Sequence, residues 1–168
     1  MSFARSFPPI ANPDATILIL GSMPGQASLT ANAYYAHPRN AFWPIMAALL
    51  GFDVNADYAQ RVAALKAARI ALWDVLHSCN RPGSLDADIA PDSLVANDLP
   101  VFLQQHPAIR RVFFNGGKAE ACFRKHVAPS LAAPALQCMR LPSTSPAHAA
   151  LSFERKLAAW RVILAERP

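Results

Sequence analysis

Thr16-Ile-Leu-Ile-Leu-Gly-Ser-Met-Pro-Gly25 runs from a short apolar stretch straight into a turn of small residues. A short, β-branched, fully apolar run bounded by turn residues reads as a buried strand. Ile70–Val75, Val112–Phe114 and Leu136–Leu141 read the same way. Between them lie amphipathic segments that fit helices: Pro44–Leu50, Tyr58–Lys66, Asp98–His106, Lys118–Lys125 and Ser152–Glu166. Such alternation predicts an α/β fold, a mainly parallel four-stranded sheet covered by helices on both faces. In the last helix Leu157, Trp160, Ile163 and Leu164 share helical spacing and are expected on the sheet, with Ser152 as N-cap and Arg155 and Lys156 outward.

With 168 residues and 53% hydrophobic content the chain suits one domain, residues 1–168. The net charge of +5 fits modest attraction to a polyanion without establishing it. No basic segment followed by an apolar core opens the sequence, and no apolar stretch reaches membrane-spanning length, so a cytoplasmic protein without membrane contact is expected. Cys79, Cys122 and Cys138 are far apart and form no C-x-x-C pair, which favours structural thiols over zinc or redox chemistry. Three cysteines cannot complete a four-cysteine iron–sulfur site within one chain.

Prolines concentrate in connections such as Ala36-His-Pro-Arg-Asn40, Asn80-Arg-Pro-Gly83 and Leu141-Pro-Ser-Thr-Ser-Pro146, and should make these loops stiff. Polar loops follow Leu20, Val75 and Leu141, and a fourth, Asn115-Gly-Gly117, follows Phe114. In an open parallel sheet all strand carboxyl ends lie on one edge, so these loops are expected to meet in one crevice. The loop after Leu20 is neither a Walker A sequence nor G-x-G-x-x-G. Gly21 and Gly25 permit close backbone approach, yet a G-x-x-x-G turn alone also fits an ordinary tight turn.

Taken together the loops say more. Gly21-Ser-Met-Pro-Gly25 resembles the first motif of the uracil-DNA glycosylase superfamily, and Leu141-Pro-Ser-Thr-Ser-Pro-Ala-His148 resembles its second, a loop that intercalates near the lesion. Ser28-Leu29, Tyr34-Tyr35 and His37-Pro-Arg-Asn-Ala-Phe-Trp43 bring the chain nearest to the hypoxanthine-DNA glycosylase branch, followed by the mismatch-specific uracil enzymes. Trp73-Asp-Val-Leu-His77, Arg81-Pro-Gly-Ser-Leu-Asp86 and Phe114-Asn-Gly-Gly117 extend the resemblance over most of the chain. It implies a three-layer α/β/α sandwich and a hydrolase that releases deaminated bases from DNA.

One departure bears on the chemistry. Efficient uracil-excising members carry Asp or Asn in the first motif to position the attacking water, and Met23 stands there instead. In the hypoxanthine branch that role falls to the Asn of the Pro-Arg-Asn segment, here Asn40. Breaking an N-glycosidic bond passes through oxocarbenium character, so a group that holds a water near C1′ suffices, and an amide can do it. Asn40 also fits a turn residue bonded to its own backbone.

An extruded base needs an aromatic platform. Tyr35, among loop residues, matches the stacking ring of the mismatch-specific relatives; Phe42, before an apolar helix, competes for the role and reads more like core. Asp74 matches the base-reading position, where a carboxylate that only accepts hydrogen bonds would favour an edge offering N–H, such as N1–H of hypoxanthine. It equally fits a cap on the following turn. Gly21, Ser22 and Met23 are expected against the base, with Asn115 touching the base or the loop water. Ser143, Thr144 and Ser145 suit donation to flanking phosphates. Leu141 replaces the His that opens the second motif in efficient uracil enzymes, and His148 stands at the far end of the loop.

We therefore expect a monofunctional DNA glycosylase acting on hypoxanthine, with weaker action on uracil or xanthine, that needs no metal or cofactor and works as a monomer. No lysine lies in these motifs to form a Schiff base. The replacements at Met23 and Leu141 leave open a non-catalytic DNA-binding or lesion-sensing module on the same fold. An α/β enzyme for a small nucleotide or nucleoside is disfavoured because these loops resemble a DNA-facing edge and no phosphate-binding fingerprint is present.

Overall fold

The computed structural model describes residues 3–131 and 136–165. In chain order its main elements are β1 (Phe3–Arg5), β2 (Ile17–Gly21), α1 (Gln26–Ala31), α2 (Phe42–Leu50), α3 (Tyr58–Ala67), β3 (Ile70–Asp74), β4 (Leu76–Asn80), β5 (Val95–Ala96), α4 (Leu99–Gln105), β6 (Arg111–Asn115), α5 (Gly117–His126), β7 (Gln137–Leu141) and α6 (Phe153–Trp160). The central sheet is parallel with order β3-β2-β6-β7. Successive side chains on a strand point to opposite faces, and β2 obeys this fully. Leu18 and Leu20 join Val112, Phe114, Leu99, Phe102 and Phe123 in one core layer. Ile17 and Ile19 join Leu72, Phe113, Phe42, Trp43, Leu65 and Trp160 in the other. The result is the expected three-layer α/β/α sandwich.

Order β3-β2-β6 means the chain leaves β2 in one direction and later returns on its other side, which opens a crevice at the carboxyl ends of β2 and β6. Gly21 ends β2 directly opposite Asp74 at the end of β3.

A second, antiparallel sheet of order β1-β4-β5 has no counterpart in the sequence reading. β1 and β5 are too short to show periodicity, and β4, Leu76-His-Ser-Cys-Asn80, mixes polar and apolar residues. Only Val75 separates β3 from β4; its N–H donates to the Gly21 carbonyl (2.8 Å), and the Leu76 N–H donates to Ser22 O (3.2 Å). Buried Asn97 holds this bend. Its Nδ2 donates to Asp74 O (2.8 Å) and Leu76 O (3.1 Å), and its N–H donates to Val75 O (2.8 Å).

The last helix differs from its expected form. Ser152 caps it through the Arg155 N–H (3.2 Å), but the α-helix ends at Trp160 and tightens into a 3-10 turn over Arg161–Leu164. The tighter period rotates Leu164 outward, 43% exposed, while Ile163 stays buried. Lys156, expected outside, lays its stem inward at 6% exposure. Glu166 lies outside the described residues. β7 is an edge strand with Gln137–Arg140 exposed, so Cys138 is an exposed thiol, whereas Cys79 and Cys122 are buried.

Candidate active site

The loops after β2 and β7 and the end of β6 meet around a cavity of about 380 Å³ at the carboxyl edge of the sheet, but the loop expected after Val75 is strand β4, so β3 contributes only its last residue, Asp74. Gly21, Ser22 and Met23 come from the end of β2, Asp74 from β3, Asn115 from β6, and Ser143, Thr144, Ser145 and His148 from the loop after β7. Tyr35 and Asn40 line it from the segment before α2. Phe42 does not. It is fully buried beneath Tyr35, the two rings stacked at 4.2 Å and 27°, so Phe42 backs the Tyr35 ring and stays outside the cavity lining. Tyr35 sits in left-handed backbone (φ 54°), a conformation costly for an aromatic residue and one that recurs at functional sites.

Two buried polar atoms in this cavity lack partners among the described residues: the Tyr35 hydroxyl and Asp74 Oδ2. The Tyr35 hydroxyl and the other Asp74 oxygen, Oδ1, both stand over Gly21. A Cβ there would lie 2.5 Å from Asp74 Oδ1 and 2.9 Å from the Tyr35 hydroxyl, so only glycine fits. The bend after Asp74 is held by Asn97, through the Asp74 and Leu76 carbonyls. Burial, then repulsion from Asp86, raises the Asp74 carboxyl to about 7, with Arg81 opposing. Near neutral pH a share of Asp74 therefore carries a proton and can donate, while the ionised share only accepts. Burial and the nearby Asp74 charge likewise push the Tyr35 phenol up, keeping it neutral.

A stability consequence follows from Asp74. The folded state holds its proton more tightly than the unfolded chain, so its contribution is full below about pH 4 and lost as pH rises through about 7. Asp86, also raised by burial, acts in the same direction. Asp74→Asn should therefore gain stability on the wild type between pH 5 and 8 by up to ~4 kcal/mol, read from urea midpoints. Parallel wild-type and variant curves over that range would contradict the assignment.

Asn40 forms the turn its sequence context allows and also lines the cavity. Its Oδ1 accepts from the Phe42 N–H (2.9 Å), an Asx turn that leads into α2, while the residue lines the cavity. The bond fixes the amide plane and leaves Nδ2 and a second lone pair on Oδ1. The neighbouring Ala41 N–H donates to Thr144 O (3.0 Å) and ties this segment to the loop after β7.

That loop is clamped from inside. Asn115 Nδ2 donates to Thr144 Oγ1 (3.0 Å), and the Thr144 N–H donates to Asn115 Oδ1 (2.9 Å). Thr144 is 1% exposed, so its side chain faces Asn115 rather than solvent-side phosphates, and Asn115 serves the loop first. Trp160 Nε1 donates to Pro142 O (2.9 Å) and anchors the loop base. Ser143 and Ser145 hydroxyls accept from the Ser145 and Ala147 N–H groups, which leaves their O–H groups to donate outward. His148 is exposed at the rim.

The segment after β4 supplies a wall that was read only as part of a resemblance. Ser84, Leu85, Asp86 and Ala87 line the cavity. Ser22 Oγ donates to Asp86 Oδ1 (2.6 Å), and the Gln26 N–H donates to Ser84 Oγ (2.9 Å). Fully buried Arg81 donates from Nη2 to Pro24 O. Thus the turn after β2 is held from the side by three bonds to one segment. Among the described residues no group of three or more His, Cys, Asp and Glu gathers to hold a metal.

The profile of the uracil DNA glycosylase superfamily matches residues 8–164. The chain belongs to the uracil DNA glycosylase superfamily. It is a DNA glycosylase, and DNA is its substrate. The glycosylase is 32% identical over 160 residues to the hypoxanthine DNA glycosylase of Methanosarcina acetivorans, covering 95% of this chain and 96% of that one. It is 36% identical over 116 residues to the hypoxanthine DNA glycosylase of Methanosarcina barkeri, covering 68% and 72%. Its fold matches the solution NMR structure of a candidate uracil DNA glycosylase from Methanosarcina acetivorans with a TM-score of 0.76 and 30% identity, over 97% of this chain and 99% of that one. No helix among the glycosylase's described residues is long and apolar enough to cross a membrane.

Proposed function

We propose that the glycosylase releases hypoxanthine from deoxyinosine in DNA, and acts more weakly on uracil or xanthine. The observation that carries this is the buried Asp74 carboxyl, unpartnered at Oδ2 in the cavity wall opposite the end of β2. The two relatives named hypoxanthine DNA glycosylase support it.

An extruded base stacks on the face of Tyr35 that Phe42 does not cover, against Gly21, Ser22 and Met23. Asp74 then reads its edge. As a carboxylate it accepts N1–H of hypoxanthine; adenine, with a bare N1 acceptor at that place, leaves the buried charge unanswered. Asn40 holds a water for attack at C1′ as the base departs, and Met23, a thioether packed in the core, takes no part in that. The hydroxyls of Ser143 and Ser145, with His148, contact phosphates flanking the extruded nucleotide; Thr144 and Asn115 keep that loop in shape. No lysine lines the cavity among the described residues, so water and not an enzyme amine takes the sugar carbon.

Asp74→Asn tests the reading. An amide offers both a donor and an acceptor, so the ratio of single-turnover rates on deoxyinosine and deoxyuridine duplexes should move toward uracil by about tenfold or more. In the wild type, hypoxanthine release should rise as pH passes about 7, where Asp74 loses its proton. An unchanged ratio with an unchanged pH profile removes Asp74 from base reading.

A further inference from the structure

When the bond from C1′ to the base breaks, its electron pair leaves with the base and positive charge gathers on C1′ and O4′. A fixed negative charge beside that sugar lowers the barrier. The residues placed so far do not supply one. Asn40 is a neutral amide, Met23 a thioether, and Asp74 lies at the cavity floor, 3% exposed, where it meets the base. Among the described residues that line the cavity the carboxylates are Asp74 and Asp86, and no Lys or Arg joins them.

Asp86 stands nearer the mouth. It is half-buried between exposed Leu85 and Ala87, in the wall formed by the segment after β4. A nucleotide held by its backbone at the rim, with its base on the floor, carries its sugar at that level. Ser22 Oγ donates to Asp86 Oδ1 at 2.6 Å, the length of a hydrogen bond to an ionised carboxylate. The bond fixes one oxygen and leaves the other to the cavity that Asp86 lines. The backbone on either side is braced as well, by the Gln26 N–H to Ser84 Oγ and by the Asp88 N–H to Leu85 O (3.0 Å). Burial raises the Asp86 carboxyl, while the Ser22 bond, Arg81 and Lys118 act to lower it. A carboxylate held this way needs no rearrangement as charge develops.

The geometry points to Asp86 as the carboxylate that faces the sugar of the extruded nucleotide and stabilises the positive charge at C1′ and O4′. This rests on the reading that an extruded nucleotide occupies the cavity, whichever base it carries. Asp86 forms no bond to the sugar and takes no proton. The electron pair of the broken bond leaves on the base, the water held by Asn40 adds its oxygen to C1′, and that water's proton ends on the released base. Asp74 and Asp86 thus divide the nucleotide between them, one at the base edge and one at the sugar.

Two measurements test it on the full chain. In the first, duplexes carry at one position, without a base, either a tetrahydrofuran ring or a pyrrolidine whose protonated nitrogen replaces C1′, and affinities are read by fluorescence anisotropy near neutral pH. Wild type should bind the pyrrolidine duplex about tenfold or more tightly than the tetrahydrofuran duplex. Asp86→Asn can still accept from Ser22 but is neutral, and should bring the two affinities within about twofold. Asp74→Asn should keep most of the preference. Each preference is a ratio measured on one preparation, so a share of misfolded protein cancels. In the second, single-turnover release by Asp86→Asn should fall about 10²-fold, the scale for one electrostatic group, and equally on deoxyinosine and deoxyuridine, because the sugar is common to both. No preference in wild type, the full preference kept in Asp86→Asn, its loss in Asp74→Asn instead, or unequal losses on the two substrates would overturn the assignment. Should wild type leave deoxyinosine DNA intact, the hypoxanthine reading fails, and the two analogues, which carry no base, still decide the role of Asp86.

Discussion

Asn40→Ala is expected to lose about 10²–10³-fold in single-turnover release of hypoxanthine, the range for removing one group aimed at the reacting centre, while deoxyinosine DNA still binds. The complication is the Asx turn, because alanine also removes the acceptor for the Phe42 N–H. A serine separates the two effects. Its hydroxyl accepts a nearby backbone N–H as Asn does, but is too short to hold a water over C1′. Asn40→Ser should therefore keep the fold of the segment, including the Ala41 N–H to Thr144 O bond, and still be nearly as slow as Asn40→Ala. Asn40→Asp keeps an acceptor for both partners and should lie closer to wild type. Full activity in Asn40→Ser would mean that Asn40 is a turn residue and that the water is held elsewhere.

Gly21→Ala should be nearly as damaging with no chemical group lost. The new methyl would overlap Asp74 Oδ1 at 2.5 Å and the Tyr35 hydroxyl at 2.9 Å. Neither neighbour yields easily. The Tyr35 ring is backed by Phe42, and Asp74 is held through its carbonyl by Asn97. Overpacking of this kind costs about 1–3 kcal/mol, and it displaces Tyr35 and Asp74 together. Catalysis should fall by about 10²-fold or more, since small misplacements of positioning groups carry losses of that order. Thermal unfolding should shift modestly beside it. A variant with wild-type rates would show that the close approach at Gly21 is dispensable.

The parts of the fold that were legible beforehand are those with a repeating apolar pattern. β2, β3 and β6 are largely buried on both faces and carry apolar runs, Ile17–Leu20, Ile70–Trp73 and Val112–Phe114, and the helices between them carry their own periodicity. The second sheet was not legible, because strands of three and two residues leave no period and β4 alternates too weakly. At the site, the residues brought together from distant strands could be anticipated from the rule that strand ends share an edge. What escaped were the polar residues that hold backbone: Asn97 on the bend after β3, and Arg81 on Pro24. A side chain that bonds to main-chain carbonyls has no characteristic spacing. Ser84 and Asp86 were in view only as part of a family likeness, and their contact with Ser22 and Gln26 depends on a chain reversal that the sequence does not announce. Thr144 shows the reverse error, since a hydroxyl in a loop was expected outward and is turned in by Asn115.

The central claim is that this cavity cleaves the bond to hypoxanthine with water. The direct measurement is chromatographic detection of free base after a single turnover of purified protein on duplexes containing deoxyinosine, deoxyuridine, deoxyxanthosine or only ordinary bases. The account predicts free hypoxanthine as the fastest product, with the abasic strand uncut until alkali is added. No free base from any duplex, or uracil released faster than hypoxanthine, would contradict it.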